Sequence, residues 1–144
     1  MVKRTNYLRC EFESFSRNEA LARALVSSFA IQLDPTVSEL TDLKCAVSEA
    51  VTNSIVHGYR DCVGKIIMTM CSYDDRRIKI EIRDKGVGIE NIEKAMEPLY
   101  TTDAENERSG MGFTVMESFT DKLRVRSAPG RGTKITLIKK LTPM

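Results

Sequence analysis

The chain has 144 residues, a formal charge of +2 and a hydrophobic fraction of 42%. That length suits one domain spanning residues 1–144, able to bury its own core without staples, and the near-balance of charge gives no argument for nucleic acid. Cys10, Cys45, Cys62 and Cys71 with a single histidine complete no zinc pattern and read as reduced thiols; no apolar run reaches the roughly 20 residues of a membrane helix, and no signal-peptide stretch follows the basic start, so a soluble cytoplasmic protein is expected.

Residues 7–14 alternate, with Leu8, Cys10 and Phe12 against Arg9, Glu11 and Glu13, which predicts a strand with one buried face. Ser16 with Glu19 three residues on predicts a capping box. It opens a helix whose apolar stripe is Leu21, Leu25, Phe29 and Leu33. Asp34-Pro35-Thr36 breaks that helix, and either Thr36 or Ser38 caps the next, with Glu39 three residues after Thr36. This second helix is expected over 37–57, with Leu40, Leu43, Val47, Val51 and Ile55 inward, and Gly58 suits the left-handed position that ends it.

Residues 65–73 predict a strand, Asp74 to Arg77 a turn, and Ile78, Ile80 and Ile82 a half-buried strand alternating with Lys79, Glu81 and Arg83. A short helix fits 91–96, a strand 122–127, a turn 128–132 and a last strand 133–140. The economical assembly is an α/β two-layer sandwich of the α+β type, a mostly antiparallel sheet with helices on one face. Residues 90–112 break this rhythm: polar, without a buried stripe and ending in glycines, they have the character of a functional lid, placed at about 97–112.

Four features could carry chemistry. Glu49 and Asn53 share a helix face, continued by His57, and offer a carboxylate base beside an oxygen ligand for a hard cation such as magnesium. Asp84-Lys85-Gly86-Val87-Gly88 follows a strand; its glycines let a backbone approach a flat ligand, and an aspartate at a strand end can accept from an exocyclic amine. Ser109-Gly110-Met111-Gly112 before an apolar stretch suits phosphate, with Arg108 upstream as a mobile cation. Gly130-Arg131-Gly132-Thr133 opens the last strand and offers a hydroxyl. No Gly-x4-Gly-Lys-Ser/Thr loop occurs, nor the His-Arg-Asp and Asp-Phe-Gly motifs of eukaryotic-type kinases.

The order of these features resembles the GHKL ATPase superfamily, whose nucleotide site is the Bergerat fold, over about residues 45–138. Within it, Ser48-Glu49-Ala50-Val51-Thr52-Asn53-Ser54-Ile55-Val56-His57-Gly58-Tyr59, Gln32-Leu33-Asp34-Pro35-Thr36 and Glu107-Arg108-Ser109-Gly110-Met111-Gly112-Phe113 resemble the anti-sigma F factors of endospore-forming bacteria. The resemblance implies an ATP- and Mg2+-dependent serine protein kinase that inhibits a sporulation sigma factor, phosphorylates a serine of an anti-anti-sigma antagonist and acts as a homodimer, without direct contact to nucleic acid or membrane. It implies that Asn53 ligates magnesium, Glu49 activates the attacking hydroxyl and Asp84 reads the adenine amine, with Gly86 and Gly88 beside the base and Thr133 completing that contact. Ser109, Gly110, Met111 and Gly112 would cradle phosphate, Arg108 would meet the γ-phosphate, and Arg23 would face protein partners. The alternatives are a histidine-kinase-type catalytic domain, disfavoured because His57 lies inside the nucleotide-site helix and no phosphoacceptor helix precedes it, and a nucleotide-dependent binding module without transfer activity.

Overall fold

A computed structural model describes residues 1–97 and 112–144. Five strands, β1 (Arg4–Glu13), β2 (Lys65–Tyr73), β3 (Arg77–Asp84), β4 (Lys122–Ala128) and β5 (Gly132–Lys140), form one sheet in the order β1-β2-β3-β5-β4. Every neighbouring pair is antiparallel, so the sheet is fully rather than mostly antiparallel. The helices are α1 (Asn18–Ala30), α2 (Val37–Asn53), α3 (Ile92–Ala95) and α4 (Gly112–Ser118).

Period two decides the sheet's two faces. Ile78, Ile80 and Ile82 of β3, Ile66, Met68 and Met70 of β2, and Ile135 and Leu137 of β5 are buried beneath the helices, each worth roughly 1.5–3 kcal/mol of transfer free energy. Lys79, Glu81 and Arg83 stand on the opposite face, as their alternation predicts. Leu43, Ala46, Val47, Ala50 and Val51 give α2 its buried stripe, and α1 packs on α2.

Two expectations for α1 are corrected. Its fully buried residues are Ala22, Val26, Phe29 and Ala30; of the expected stripe, Phe29 is buried and Leu25 and Leu33 pack partly buried against the core, while Leu21 is 45% exposed. Small residues let α1 approach α2 closely, so the helix turns its alanines inward and not the first leucine of the stripe. Ser16 forms no capping box: Arg17 occupies the cap position without a side-chain bond. Glu19 instead pairs with Arg23 at 2.8 Å and accepts from the Ser48 hydroxyl of α2, a tertiary use that outcompetes the local one.

At α2 the open choice of cap resolves to Thr36. Its hydroxyl accepts from the Glu39 N–H at 3.0 Å, and the Glu39 carboxylate accepts from the Thr36 N–H at 2.9 Å. The other oxygen of Glu39 accepts from Thr142 N–H at 2.7 Å and so ties the end of the chain to this helix. In the β2–β3 turn, Arg76 is left-handed at φ 71° and its guanidinium donates to the carbonyls of Leu33 and Thr142. All four cysteines are free thiols. Among the described residues no helix is long and apolar enough to cross a membrane.

Candidate nucleotide site

The C-terminal half of α2 leads into a π turn over Ser54–Gly58, in which the Tyr59 N–H reaches back to the Ser54 carbonyl at 2.9 Å. Single-turn widenings of this kind cluster at functional sites. Here the widening aims the Ser54 hydroxyl at Asp84 Oδ2, 2.7 Å away. It also brings Gly58 against the same carboxylate: a Cβ at position 58 would lie 3.0 Å from the Asp84 carboxyl carbon. Gly58 has no positive φ. Its glycine therefore serves close approach, a correction to the left-handed stop expected from sequence.

Asp84 ends β3 on the inward register and is 3% exposed. Its Oδ1 accepts from the Gly86 N–H at 2.9 Å. Burial pushes its carboxyl pKa above the ordinary value, and the bonds from Ser54, Gly86 and Thr133 only partly offset this. Each oxygen keeps acceptor capacity beyond the bond it makes. Thr133 lies directly opposite Asp84 on β5, and Ser127 directly opposite Thr133 on β4. Three polar side chains thus form one row across the buried face, one pair of residues beyond the apolar row of Ile82, Ile135 and Val125.

The loop after β3 is pinned by backbone contacts that only glycine permits. The Val87 N–H donates to the Gly58 carbonyl at 3.0 Å, and a Cβ on Gly86 would fall 2.1 Å from that oxygen. Gly88 is left-handed at φ 78°, and a Cβ there would meet the Ala128 carbonyl at 2.0 Å. The Tyr59 hydroxyl accepts from the Lys85 N–H at 2.7 Å and donates to the Lys65 carbonyl at 2.6 Å. Ser127 accepts from the Ile89 N–H at 2.7 Å and donates to the Gly132 carbonyl at 2.9 Å, with Thr133 Oγ1 2.8 Å away.

A cavity of about 1420 Å³ is lined by Glu49, Thr52, Asn53 and His57 of α2 and its π turn, by Gly88, Ile89 and α3, by Gly112, Phe113 and Met116 of α4, and by Ser127 of β4. This exceeds the roughly 300–1,000 Å³ of a typical small-molecule site. The structure brings Glu49, Asn53, Gly88 and Gly112 together on the cavity. Asp84, Gly86 and Thr133 do not line it, and Asp84 and Thr133 are buried. Arg23 lies away from it, on α1, paired with Glu19. Arg108, Ser109, Gly110 and Met111, with most of the expected lid, fall outside the described residues.

Ser54 and Tyr59 lie within the motif that carries the resemblance but were given no role from sequence, and Ser127 was not singled out. A signal existed for Ser127, which follows Leu123 and Val125 at the inward register of β4, just as Asp84 follows Ile82 on β3. A polar residue in an apolar register, on neighbouring strands and at the same end, marks the site. Nothing in the local sequence signals Ser54, because the π turn that aims it is a tertiary adjustment.

Residues 12–139 match the family described as histidine kinase-like ATPase domain. The chain is 56% identical to an anti-sigma F factor of Clostridium acetobutylicum, with 94% of each chain covered. It is 50% identical to one of Pasteuria penetrans, covering 94% of this chain and 91% of that one. Among solved structures, the RsbU and RsbW domains of Rv1364c from Mycobacterium tuberculosis superpose with a TM-score of 0.70 at 19% identity, over 97% of this chain and 34% of that one, about a third of its length. The mycobacterial sensor histidine kinase MprB gives a TM-score of 0.56 at 22% identity, over 73% of this chain and 74% of the other. At those identities the two structural likenesses establish the fold alone. The chain belongs to the anti-sigma F factors, within the histidine kinase-like ATPase domains.

Proposed function

We propose that the protein binds Mg-ATP in this cavity, holds a sporulation sigma factor of the sigma F type inactive, and transfers the γ-phosphoryl group to a serine of an anti-anti-sigma antagonist. The observation that carries the reading is the placement of Glu49 and Asn53 on the cavity together with Ser127, which continues the buried pair Asp84 and Thr133 in one polar row across the sheet. The names of the relatives support the sigma-factor partner. Homodimer assembly and a cytoplasmic location belong to the same reading.

Phosphoryl transfer needs positioning and charge neutralisation more than covalent chemistry. An amide oxygen and a carboxylate suit Mg2+, which keeps much of its shell as water and substrate phosphate and takes few protein ligands. Asn53 would hold the ion, which when bound draws charge from the phosphates. Glu49 accepts the proton of the incoming serine hydroxyl as its oxygen bonds to the γ-phosphorus and the bond to the leaving ADP oxygen breaks. Asp84 accepts from the adenine amine, flanked by Gly86 and Gly88, with Thr133 completing the contact. Ser109, Gly110, Met111 and Gly112 cradle phosphate, and Arg108 neutralises charge on the group in transit. Arg23 is assigned to partner contact.

The test is incubation with labelled ATP, magnesium and a purified serine-bearing antagonist. Label on the antagonist is the expected outcome. Label on the chain itself would indicate a histidine-kinase-type reaction, free phosphate an ATPase, and bound but unreacted ATP a binding module. Glu49→Gln is expected to keep ATP binding and to lose at least about 10²-fold in transfer rate, the scale of a general base. An unchanged rate removes Glu49 from that role.

A further inference from the structure

The sheet's second face is turned away from the helices and from the nucleotide cavity. Outward positions of β3, β5 and β4 include Lys79 and Arg83, then Lys134, then Lys122, Arg124 and Arg126. Glu81 is the single carboxylate at an outward position of these three strands. Arg83 stands directly opposite Lys134, and Lys134 directly opposite Arg126. Like charges in direct opposition destabilise a sheet. Glu81 relieves the row in part, through an ion pair with Lys134 at 2.9 Å. Burial pushes the Glu81 carboxyl up, but Lys134, Lys79 and Arg83 outweigh it and hold the group below the ordinary carboxylate range, a sign of a strongly positive local field.

Cations on an edge strand are ordinary, because they keep the edge from pairing with other chains. That accounts for Lys122, Arg124 and Arg126 on β4. It does not account for Arg83 and Lys134, which sit on the interior strands β3 and β5. The whole chain carries only +2, so this face concentrates positive charge that the rest of the molecule does not share.

We propose that this face docks an acidic helix of a partner protein, laid across β3, β5 and β4. The cation row advances by the strand spacing, about 4.8 Å per step. Carboxylates three or four residues apart on a helix recur at about 5–6 Å, which matches that step. Ile138, half-buried between Lys79 and Lys122, supplies an apolar contact beside the charges. A nucleic acid fits less well: no aromatic ring stands at an outward position of these strands to stack a base, and Glu81 occupies the middle of the path that phosphates would follow. A second copy using the same face would bring like charge against like. The docking does not depend on phosphoryl transfer and lies on the other side of the sheet from it.

The experiment is a titration of the full-length protein, followed by backbone amide shifts, with a helical peptide of about 20 residues carrying glutamates on one face. A peptide of the same composition with the glutamates distributed around the helix, and a DNA duplex of similar charge, serve as comparisons at the same salt. The one-faced peptide is expected to bind tightest, to shift amides of β3, β4 and β5, and to weaken as salt rises through the range where exposed charges are screened. Arg124→Glu with Arg126→Glu is expected to lower its affinity at least about tenfold, equal to about 1.4 kcal/mol, and the milder Arg124→Gln with Arg126→Gln by less. Equal affinity for the two peptides, tighter binding of the duplex, shifts confined to other elements, or unchanged affinity in both variants would each overturn the proposal. Self-association that the charge reversal abolishes would instead identify a second copy as the occupant and overturn it equally.

Discussion

The two ends of α2 each place a carboxylate beside hydrogen-bond donors, yet the two groups are held in opposite ways. At the first turn, burial pushes Glu39 up, but its bonds from Thr36 and Thr142 outweigh it and hold the carboxyl below its ordinary value. Beyond the last turn, Asp84 accepts from Ser54 and Gly86, but burial outweighs those bonds and holds the carboxyl above its ordinary value. The first end closes a helix and ties down the chain terminus. The second retains an electrostatic cost, and perturbed carboxylates of this kind cluster at functional sites. The helix thus opens on a closed capping network and ends beside a strand carboxylate held at an electrostatic cost.

The strongest way to break the comparison is at Gly86. A side chain there meets the Gly58 carbonyl at 2.1 Å, and neither backbone can retreat without losing the Val87 to Gly58 bond. Gly86→Ala is expected to cost about 3 kcal/mol or more in denaturant unfolding and to abolish nucleotide binding. A variant with wild-type stability would mean that the π turn can shift, and that the site is softer than its contacts indicate.

At the other end, Glu39→Ala removes half of the capping box and the Thr142 contact together. The expected loss is about 1–3 kcal/mol, with nucleotide affinity unchanged. The pH dependence separates this role from a packing role. Because the folded pKa is depressed, the unfolded chain binds more protons in the window between the two values, so stability rises with pH there. The Glu39 contribution is fully present above the unfolded value near about 4.3 and is lost as pH falls through the folded one. Wild type and variant should therefore converge in stability under acid conditions; a constant gap down to low pH would assign the loss to packing alone.

These two ends were not equally legible in the sequence. The capping box at Thr36 and Glu39, the β2 limits and the alternation of β3 depend on local spacing, and the structure carries all three. The stripe of α1 holds at Leu25, Phe29 and Leu33 but not at Leu21, and the burial of Ala22 and Ala30 did not follow from its spacing, because they win their places by what α2 presents to them. In the site, Glu49, Asn53 and Gly88 were readable as positions on the cavity. The depth of Asp84 was not: it depends on Gly58, Ser54 and Thr133 converging from three elements distant in sequence. A motif gives a residue its type and order. Whether it lies on the wall or behind it is decided by the packing of the chain around it.

The smallest expected effect on stability is the most informative. Asp84→Asn keeps one oxygen as an acceptor for Gly86 or Ser54 and removes the buried charge. Since the folded pKa of Asp84 is raised, the folded protein binds more protons than the unfolded chain in the intervening window, and the wild type loses stability as pH rises through it. The variant lacks that loss, so its urea midpoint at about pH 7 should equal or exceed that of the wild type, with the two converging below about pH 4. Nucleotide binding should move the other way. The adenine amine loses a charged acceptor, which is worth about 1.5–3 kcal/mol, or roughly tenfold to a hundredfold in ADP affinity. A variant that is less stable but binds ADP equally well would make Asp84 a structural group like Glu39, and the contrast between the two ends of α2 would collapse. A variant that is equally stable and binds poorly would separate the two roles, because only a ligand could then account for keeping a carboxylate where the fold itself gains nothing from the charge.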